Sequence, residues 1–399
     1  MRPRPWLALL ILCASCGDEP ISAPTADGIE ELRALGYLEA SPNVADPSES
    51  GARVLDPARV MPGYRLYVAD FRCEASLIDV DGRVVHRWRR PPCWKWMHAE
   101  LLENGDLLVP EVANEREGQE RGKGHALLRL DWSGDVVWRV PVDAHHDVET
   151  TAEGEILTLT RHSRTDHDLD AGEDTVLVDN AVTRLSAEGS IVDSLSLWDV
   201  TRSNDAGFAL QPVKARPKSR TIDLFHANAV HALRRPEPLR LHRLYEPGNV
   251  LVSSRQQDAI LVIDVARRVL VWAWGKGVIS GPHDAQMLDD GHFLIFDNGL
   301  DRGWSRVLEL DPVTEEVVWS YSGDKGSRFF TAQRGGAQRL PNGNTLVSVS
   351  NEGQAFEVTP DGEVVWRFGN PELNEDGRRE IINRMILYET GFIDALLAR

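Results

Sequence analysis

The sequence predicts an all-β chain wound into a six-bladed β-propeller with four-stranded blades, a short N-terminal helix and an extended N-terminal tether. Two recurring phrases carry this prediction. One is an Asp- or Gly-bearing turn, then two apolar residues, then often Trp. It occupies Asp79–Trp88, Asp131–Trp138, Ser186–Val192, Asp264–Trp272, Asp311–Trp319 and Thr359–Trp366. The other is Gly-x-x-Leu before an apolar run, starting at Gly63, Gly105, Gly154, Gly248, Gly291 and Gly343. The phrases alternate strictly, and Trp272, Trp319 and Trp366 are evenly spaced. Each unit therefore reads as strand, turn, strand, loop, strand, turn, strand. A period of ~40–50 residues with four strands is the propeller signature. A single blade cannot bury both faces, so six stack into a ring.

The first residues are an address. Arg2 and Arg4 precede the apolar run Trp6–Cys13 and then Ala14-Ser15-Cys16. A basic start, a short apolar core and small residues before a cleavage point describe an export signal over residues 1–16. Ala-Ser-Cys16 resembles a lipoprotein box, which implies lipidation at Cys16 and an exported, lipid-anchored protein in the periplasm or at the cell surface. Residues 17–60 are rich in Pro, Ser, Ala and Asp and read as the tether. Within it, Ile29, Leu32 and Leu35 share one face of a helix expected over 28–38.

The propeller itself is expected over residues 61–390, with a tail at 391–399. Its first blade lacks an inner strand at the amino end. The apolar segment Ile381–Tyr388 is the expected substitute, closing the ring from the far terminus, with a C-terminal helix as the competing assignment. Of four Cys, only Cys73 and Cys93 lie in this region. In an exported chain they pair as one disulfide or remain two buried thiols.

Composition narrows the partners. The chain has 399 residues, 62 acidic against 44 basic, for a net charge of −18. That field repels phosphate backbones, so no nucleic-acid partner is expected. No apolar run reaches the ~18 residues that span a bilayer, so membrane contact is expected only through the lipid. At 42% hydrophobic residues a large core is available and wholesale disorder is excluded.

Histidines recur at one phase of the repeat. The inner strand of each blade should lie just before each Gly-x-x-Leu turn. His98, His145, His146, His226 and His283 fall there, and the sixth unit offers Gln333 and Arg334. Imidazoles so placed converge at one mouth of the central channel. Two chemistries suit them: metal ligation by neutral imidazole, or nucleophilic and acid–base catalysis on an anionic group. His162, His231, His242 and His292 fall outside the phase and receive no role. The acidic loop 166–172 and the basic insertion 200–222 read as solvated loops.

Several motifs go further. Asp223-Leu-Phe-His-Ala-Asn-Ala229, Val252-Ser-Ser-Arg-Gln-Gln-Asp258, Pro282-His-Asp-Ala-Gln-Met-Leu288, Phe296-Asp-Asn-Gly299, Ser305–Leu310 and Gly335–Leu346 resemble the bacterial arylsulfotransferases, as does His145-His-Asp147. These are exported six-bladed propellers that take aryl sulfates as donors. The resemblance implies that His283 is the nucleophile. It implies that His226, Asn228 and Arg255 hold the sulfuryl oxygens, and that His146, or His145 one place away, is a further channel imidazole. The sixth-blade polar residue falls within Thr331–Arg334. Trp96, Phe225, His98 and Arg334 are the candidate substrate contacts, with Trp94 as a further stacking ring; blade-packing core is the competing reading of the Trp residues. The partners implied are an aryl sulfate and a phenol, with no cofactor. A metal-assisted hydrolase and a non-catalytic binding propeller are the competing functions, because fold alone does not set activity.

Overall fold

The computed structural model describes residues 38–399 apart from 113–123, 166–168, 170–174, 204, 215–219, 237–241, 325 and 327. The export segment with Cys16 and nearly all of the helix expected over 28–38 lie outside the described residues. So do most of the 166–172 loop and the centre of the 200–222 insertion.

Six sheets form the blades, antiparallel except in blade 3, where Thr221–Asp223 pairs parallel with Val176–Leu185. From blade 2 to blade 6 the inner strands are Lys95–Trp96 with Glu100–Leu101, Ala144–Thr150, Ala227–Ala232, His283–Met287 and Gly336–Arg339. Blade 1 takes its inner strand from the C-terminus: Met385–Tyr388 pairs with Tyr64–Ala69, Met385 opposite Tyr67. The ring closes as the sequence predicts, within Ile381–Tyr388.

Packing follows the ring. The described core divides into six clusters, one at each seam between neighbouring blades. At the closing seam, Tyr67 and Ile78 of blade 1 meet Leu346, Trp366 and Phe368 of blade 6 and Met385 and Leu387 of the closing strand. The recurring Trp is explained here. Trp88, Trp138, Trp319 and Trp366 each donate their indole N–H to a carbonyl in the following blade's turn: Asp131, Ala187, Pro360 and Val80, at 2.8–3.2 Å. A ring that packs at a seam while its N–H finds a fixed acceptor satisfies both halves of an amphipathic side chain. The two halves of the repeated phrase are thus partners, one blade apart.

Two terminal assignments differ from expectation. The segment read as tether is paired from Ala40: Ala40–Val44 lies against Arg378–Glu380, and Gly51–Val54 adds a fifth strand outside blade 6. The outer strand Val364–Gly369 otherwise presents unpaired N–H and C=O groups, which sheet edges must cover. The tail forms a helix, Thr390–Leu397, that buries Ile393 and Leu396 in the seam between blades 1 and 2.

Cys73 and Cys93 are joined by a disulfide across a sequence separation of 20. Closing a loop of that length constrains the unfolded chain by about 3 kcal/mol. Cys93→Ser should therefore shift the guanidinium midpoint downward, with a somewhat larger m-value because the unfolded chain expands. A loss below about 1 kcal/mol would contradict this role.

Candidate active site

The inner strands of blades 3 to 6 enter the channel through the same backbone device. His146, His226, Asp284 and Arg334 all have positive φ, between 45° and 61°. In blades 3, 4 and 5 the strand register slips at this point. A bulge adds a residue, bends the strand and re-aims its side chains. Left-handed backbone is costly for non-glycine residues and persists only where the surroundings enforce it, commonly at functional sites.

His283 is buried, and its proton position follows from its neighbours. Nδ1 lies 2.7 Å from Asn298 Oδ1 and 3.2 Å from the Gly281 carbonyl. Asn298 Nδ2 donates to the carbonyls of Thr331 and Arg334, so its oxygen must face the ring as an acceptor. Nδ1 therefore carries the proton and Nε2 the lone pair. The Arg334 backbone N–H points at Nε2 from 3.3 Å. Burial, reinforced by the Arg255 guanidinium, holds the ring well below the ordinary imidazole range, against the opposing bond from Asn298.

Three further imidazoles join it. His226 Nδ1 is 2.6 Å from Asp223 Oδ2, and its backbone N–H donates to the same carboxylate. The His146 ring lies edge-on to His226 with centroids 5.2 Å apart, and its Nδ1 is 2.6 Å from His145 Nδ1. Burial lowers His146 well below its usual value. The charges of His145, His226, Lys95 and His283 push the same way, so these groups share one electrostatic environment. Burial and Arg161 lower His145 to about 3. His98 is buried beside Asp147, with Nε2 at 3.7 Å from its Oδ1.

Arg255 is buried, donates from Nη2 to the Ala332 carbonyl at 3.4 Å, and acts on His283 electrostatically. Asn228 is buried and donates to the Pro282 carbonyl, immediately before His283. Arg334 contributes its backbone to His283, while its guanidinium pairs with buried Asp70 at 2.9 Å. Trp96 and Phe225 are placed elsewhere. Trp96 packs in the seam between blades 1 and 2, and Phe225 in that between blades 3 and 4. Trp94 lies near Phe71, with Lys95 Nζ 4.8 Å over its ring.

Sequence reasoning named neither Asn298 nor Asp223 individually, although both sit inside the quoted motifs. It also passed over Asp147 and Asp284, which directly follow the site imidazoles, and Arg384, which no motif contains. The Arg384 guanidinium reaches Asp147 Oδ1 at 3.0 Å and Asp284 Oδ1 at 2.9 Å.

Among the described residues, the group whose ligand atoms converge as a metal would need is Asp290, His292 and Glu309, on the turn beside Gly291 and away from the channel imidazoles. There His292 Nδ1 lies 2.7 Å from Glu309, which also pairs with Arg339 at 2.9 Å.

The buried histidines set a pH dependence. His98, His145, His146 and His283 are held neutral, chiefly by burial, whereas each titrates near 6.5 once unfolded. The unfolded chain thus gains up to four protons as pH falls through 6.5. Burial raises Glu100 to about 8 and Asp147 to about 6, so these two take up protons first in the folded state. The four histidines thus contribute stability that is present above about pH 6.5 and lost as pH falls through it, while the raised carboxyls of Asp70, Asp179 and Asp284 and the raised His231 also act in the opposite sense. Guanidinium unfolding of wild type and His98→Gln at about pH 7 and about pH 5 isolates the histidine contribution: the variant should lose less stability between the two values, and an equal loss contradicts it.

Comparison with known proteins gives a consistent picture. A family model described as arylsulfotransferase (ASST) matches residues 98–371, more than half of the chain. No protein of curated function matches the sequence. Among solved structures, a protein of unknown function from Bacteroides caccae is 14% identical, with 82% of this chain and 99% of that one covered at a TM-score of 0.51. A virginiamycin B lyase from Staphylococcus aureus is 11% identical, with 80% and 88% covered at a TM-score of 0.43. At such identity the first of these speaks to the fold alone.

Proposed function

Because the chain belongs to the arylsulfotransferase (ASST) family, we propose that it moves a sulfuryl group from an aryl sulfate to a phenol through a sulfohistidine on His283. The observation that carries this reading is the Asn298 clamp, which leaves the Nε2 lone pair of a neutral, buried imidazole as the reactive position.

Sulfuryl transfer, like phosphoryl transfer, runs through a loose in-line transition state with charge on the peripheral oxygens. Nε2 of His283 attacks sulfur, forming the S–N bond as the S–O bond to the aryl group breaks. The ring keeps its Nδ1 proton, so the N-sulfonated ring is cationic and benefits from the Asn298 acceptor. Arg255 and Asn228 provide donors for the sulfuryl oxygens, and the Arg334 N–H joins them once Nε2 gives up its bond from that N–H to form the S–N bond; such donors are the type of interaction with the largest catalytic effects. His226, entering the step as an imidazolium whose Nδ1–H is held by Asp223, passes its Nε2 proton to the departing aryl oxygen and is left neutral. Such proton transfer contributes roughly 100-fold or more. In the second half-reaction His226 takes the proton of the acceptor phenol. The phenol oxygen bonds to sulfur, the S–N bond breaks, and His283 returns to its neutral form.

The test incubates the protein with a chromogenic aryl sulfate, with and without phenol. Phenol-dependent release of the chromophore, with stoichiometric aryl sulfate formed from the acceptor, supports the proposal. Release that is independent of phenol and yields inorganic sulfate would replace it with hydrolysis.

A further inference from the structure

Arg384 stands immediately before the ring-closing strand Met385–Tyr388, yet its guanidinium crosses to the far side of the channel. Nη1 sits between Asp147 of blade 3 and Asp284 of blade 5, at 3.0 and 2.9 Å. Nη2 donates to the Asn228 carbonyl of blade 4 at 3.2 Å. Each carboxylate also ties its blade to the next. Asp147 Oδ2 accepts the Val230 N–H, and Asp284 Oδ2 accepts the Ala337 N–H, both at 2.9 Å. One cation from blade 1 thereby anchors blades 3, 4 and 5, and through the carboxylates blade 6.

The two carboxylates are not incidental. Asp147 follows His146 in sequence and Asp284 follows His283, each at the register slip that aims its neighbouring imidazole. The space for the crossing is reserved: a Cβ on Gly336 would lie 2.4 Å from Asp284 Oδ2 and 2.6 Å from Arg384 Cγ. Gly336 has no positive φ, so this close approach is a reason for glycine independent of backbone conformation.

We infer that Arg384 is a positioning residue, which clamps Asp147 and Asp284 and thereby fixes His146 and His283 at working separation across the channel. Closure of the ring by the C-terminal strand delivers this clamp, so the site is complete only in the closed ring. The catalytic consequence rests on the sulfuryl-transfer reading above; the geometric one does not.

The experiment compares wild type with Arg384→Met, Arg384→Lys, Gly336→Ala and a triple variant in which the whole clamp is uncharged, Arg384→Met with Asp147→Asn and Asp284→Asn. Both kinetics and histidine ring NMR are recorded. The triple variant leaves no unpaired buried carboxylate, and its amide oxygens still accept the Val230 and Ala337 N–H groups. It keeps the test decisive if Arg384→Met alone fails to fold. A displacement of about 1 Å can cost roughly 100-fold in rate. A kcat loss of that size is therefore expected in the triple variant and in Gly336→Ala, with KM changed only a few-fold and partial recovery in Arg384→Lys. The His146 and His283 resonances should shift in both. A triple variant within about 3-fold of wild-type kcat would reduce Arg384 to charge neutralisation and overturn the inference. Unchanged His146 and His283 resonances would overturn it regardless of turnover. If wild type cleaves no aryl sulfate, the sulfuryl-transfer reading fails, while the NMR comparison still decides the role of Arg384.

Discussion

His283→Ala is expected to lower kcat for phenol-dependent aryl sulfate cleavage by roughly four orders of magnitude or more, as removal of a covalent nucleophile does elsewhere. The chemistry depends on one atom, Nε2. Asn298 Oδ1 accepts the Nδ1–H bond at 2.7 Å and is held in place because Asn298 Nδ2 is committed to two carbonyls. Asn298→Leu should retain the imidazole but release its tautomer and orientation, for a smaller loss of about 100-fold. In His226→Ala the proton donor is missing, so donors with poor leaving groups should suffer more than activated ones. Quench-flow mass spectrometry of wild type should find one sulfuryl group on the peptide carrying His283, and none in His283→Ala. Equal chromophore release by wild type and His283→Ala would end the assignment.

Arg65→Met is expected to cost about 3–5 kcal/mol of stability, the largest single effect on the fold, because it strands a buried carboxylate. Arg65 and Glu357 form an ion pair at 3.0 Å with both side chains fully excluded from solvent. Glu357 also accepts the Met61 N–H and the Asn344 amide, each at 2.7 Å. Arg65 donates to the Gly63 and Met61 carbonyls and lies 4.6 Å over the Trp366 ring. The pair thus bridges blades 1 and 6 at the seam where the ring closes. The double variant Arg65→Met, Glu357→Gln removes both charges, keeps an acceptor for the Met61 N–H and the Asn344 amide, and should recover most of the loss. A double-mutant cycle in guanidinium measures both terms. A single-variant cost below about 1 kcal/mol would show that solvent reaches the seam.

The propeller was legible because its information is local and repeated. A tight turn, an apolar strand and a Trp that bonds the next blade's turn are each visible within about one repeat. Six repetitions average away the noise of any one strand assignment. The phase of His98, His145, His146 and His283 was legible for the same reason: each stands just before a Gly-x-x-Leu turn, while His226 opens the equivalent strand with an insertion between it and Gly248. Asn298 was half legible, since Phe296-Asp-Asn-Gly299 stood out as a motif while the role of its Asn did not.

What stayed hidden depends on which side chains meet across the axis. Trp96 and Phe225 neighbour channel residues in sequence yet pack into seams. Phe225 adjoins a residue of left-handed backbone, and the inner strand after Trp96 is interrupted, so alternation no longer tells which side faces in. Arg384 belongs to no recurrent phrase, and its partners Asp147 and Asp284 are distant in the chain. By itself, the sequence determined the blade count and the placing of histidines at a common phase, because these follow from periodicity, and it offered the closing segment without deciding between strand and helix. Only the tertiary structure decided the proton position on His283, the pairing of Arg334 with Asp70 and the clamp of Arg384. Six inner strands converge on one axis, and contacts made there join residues that no periodicity relates.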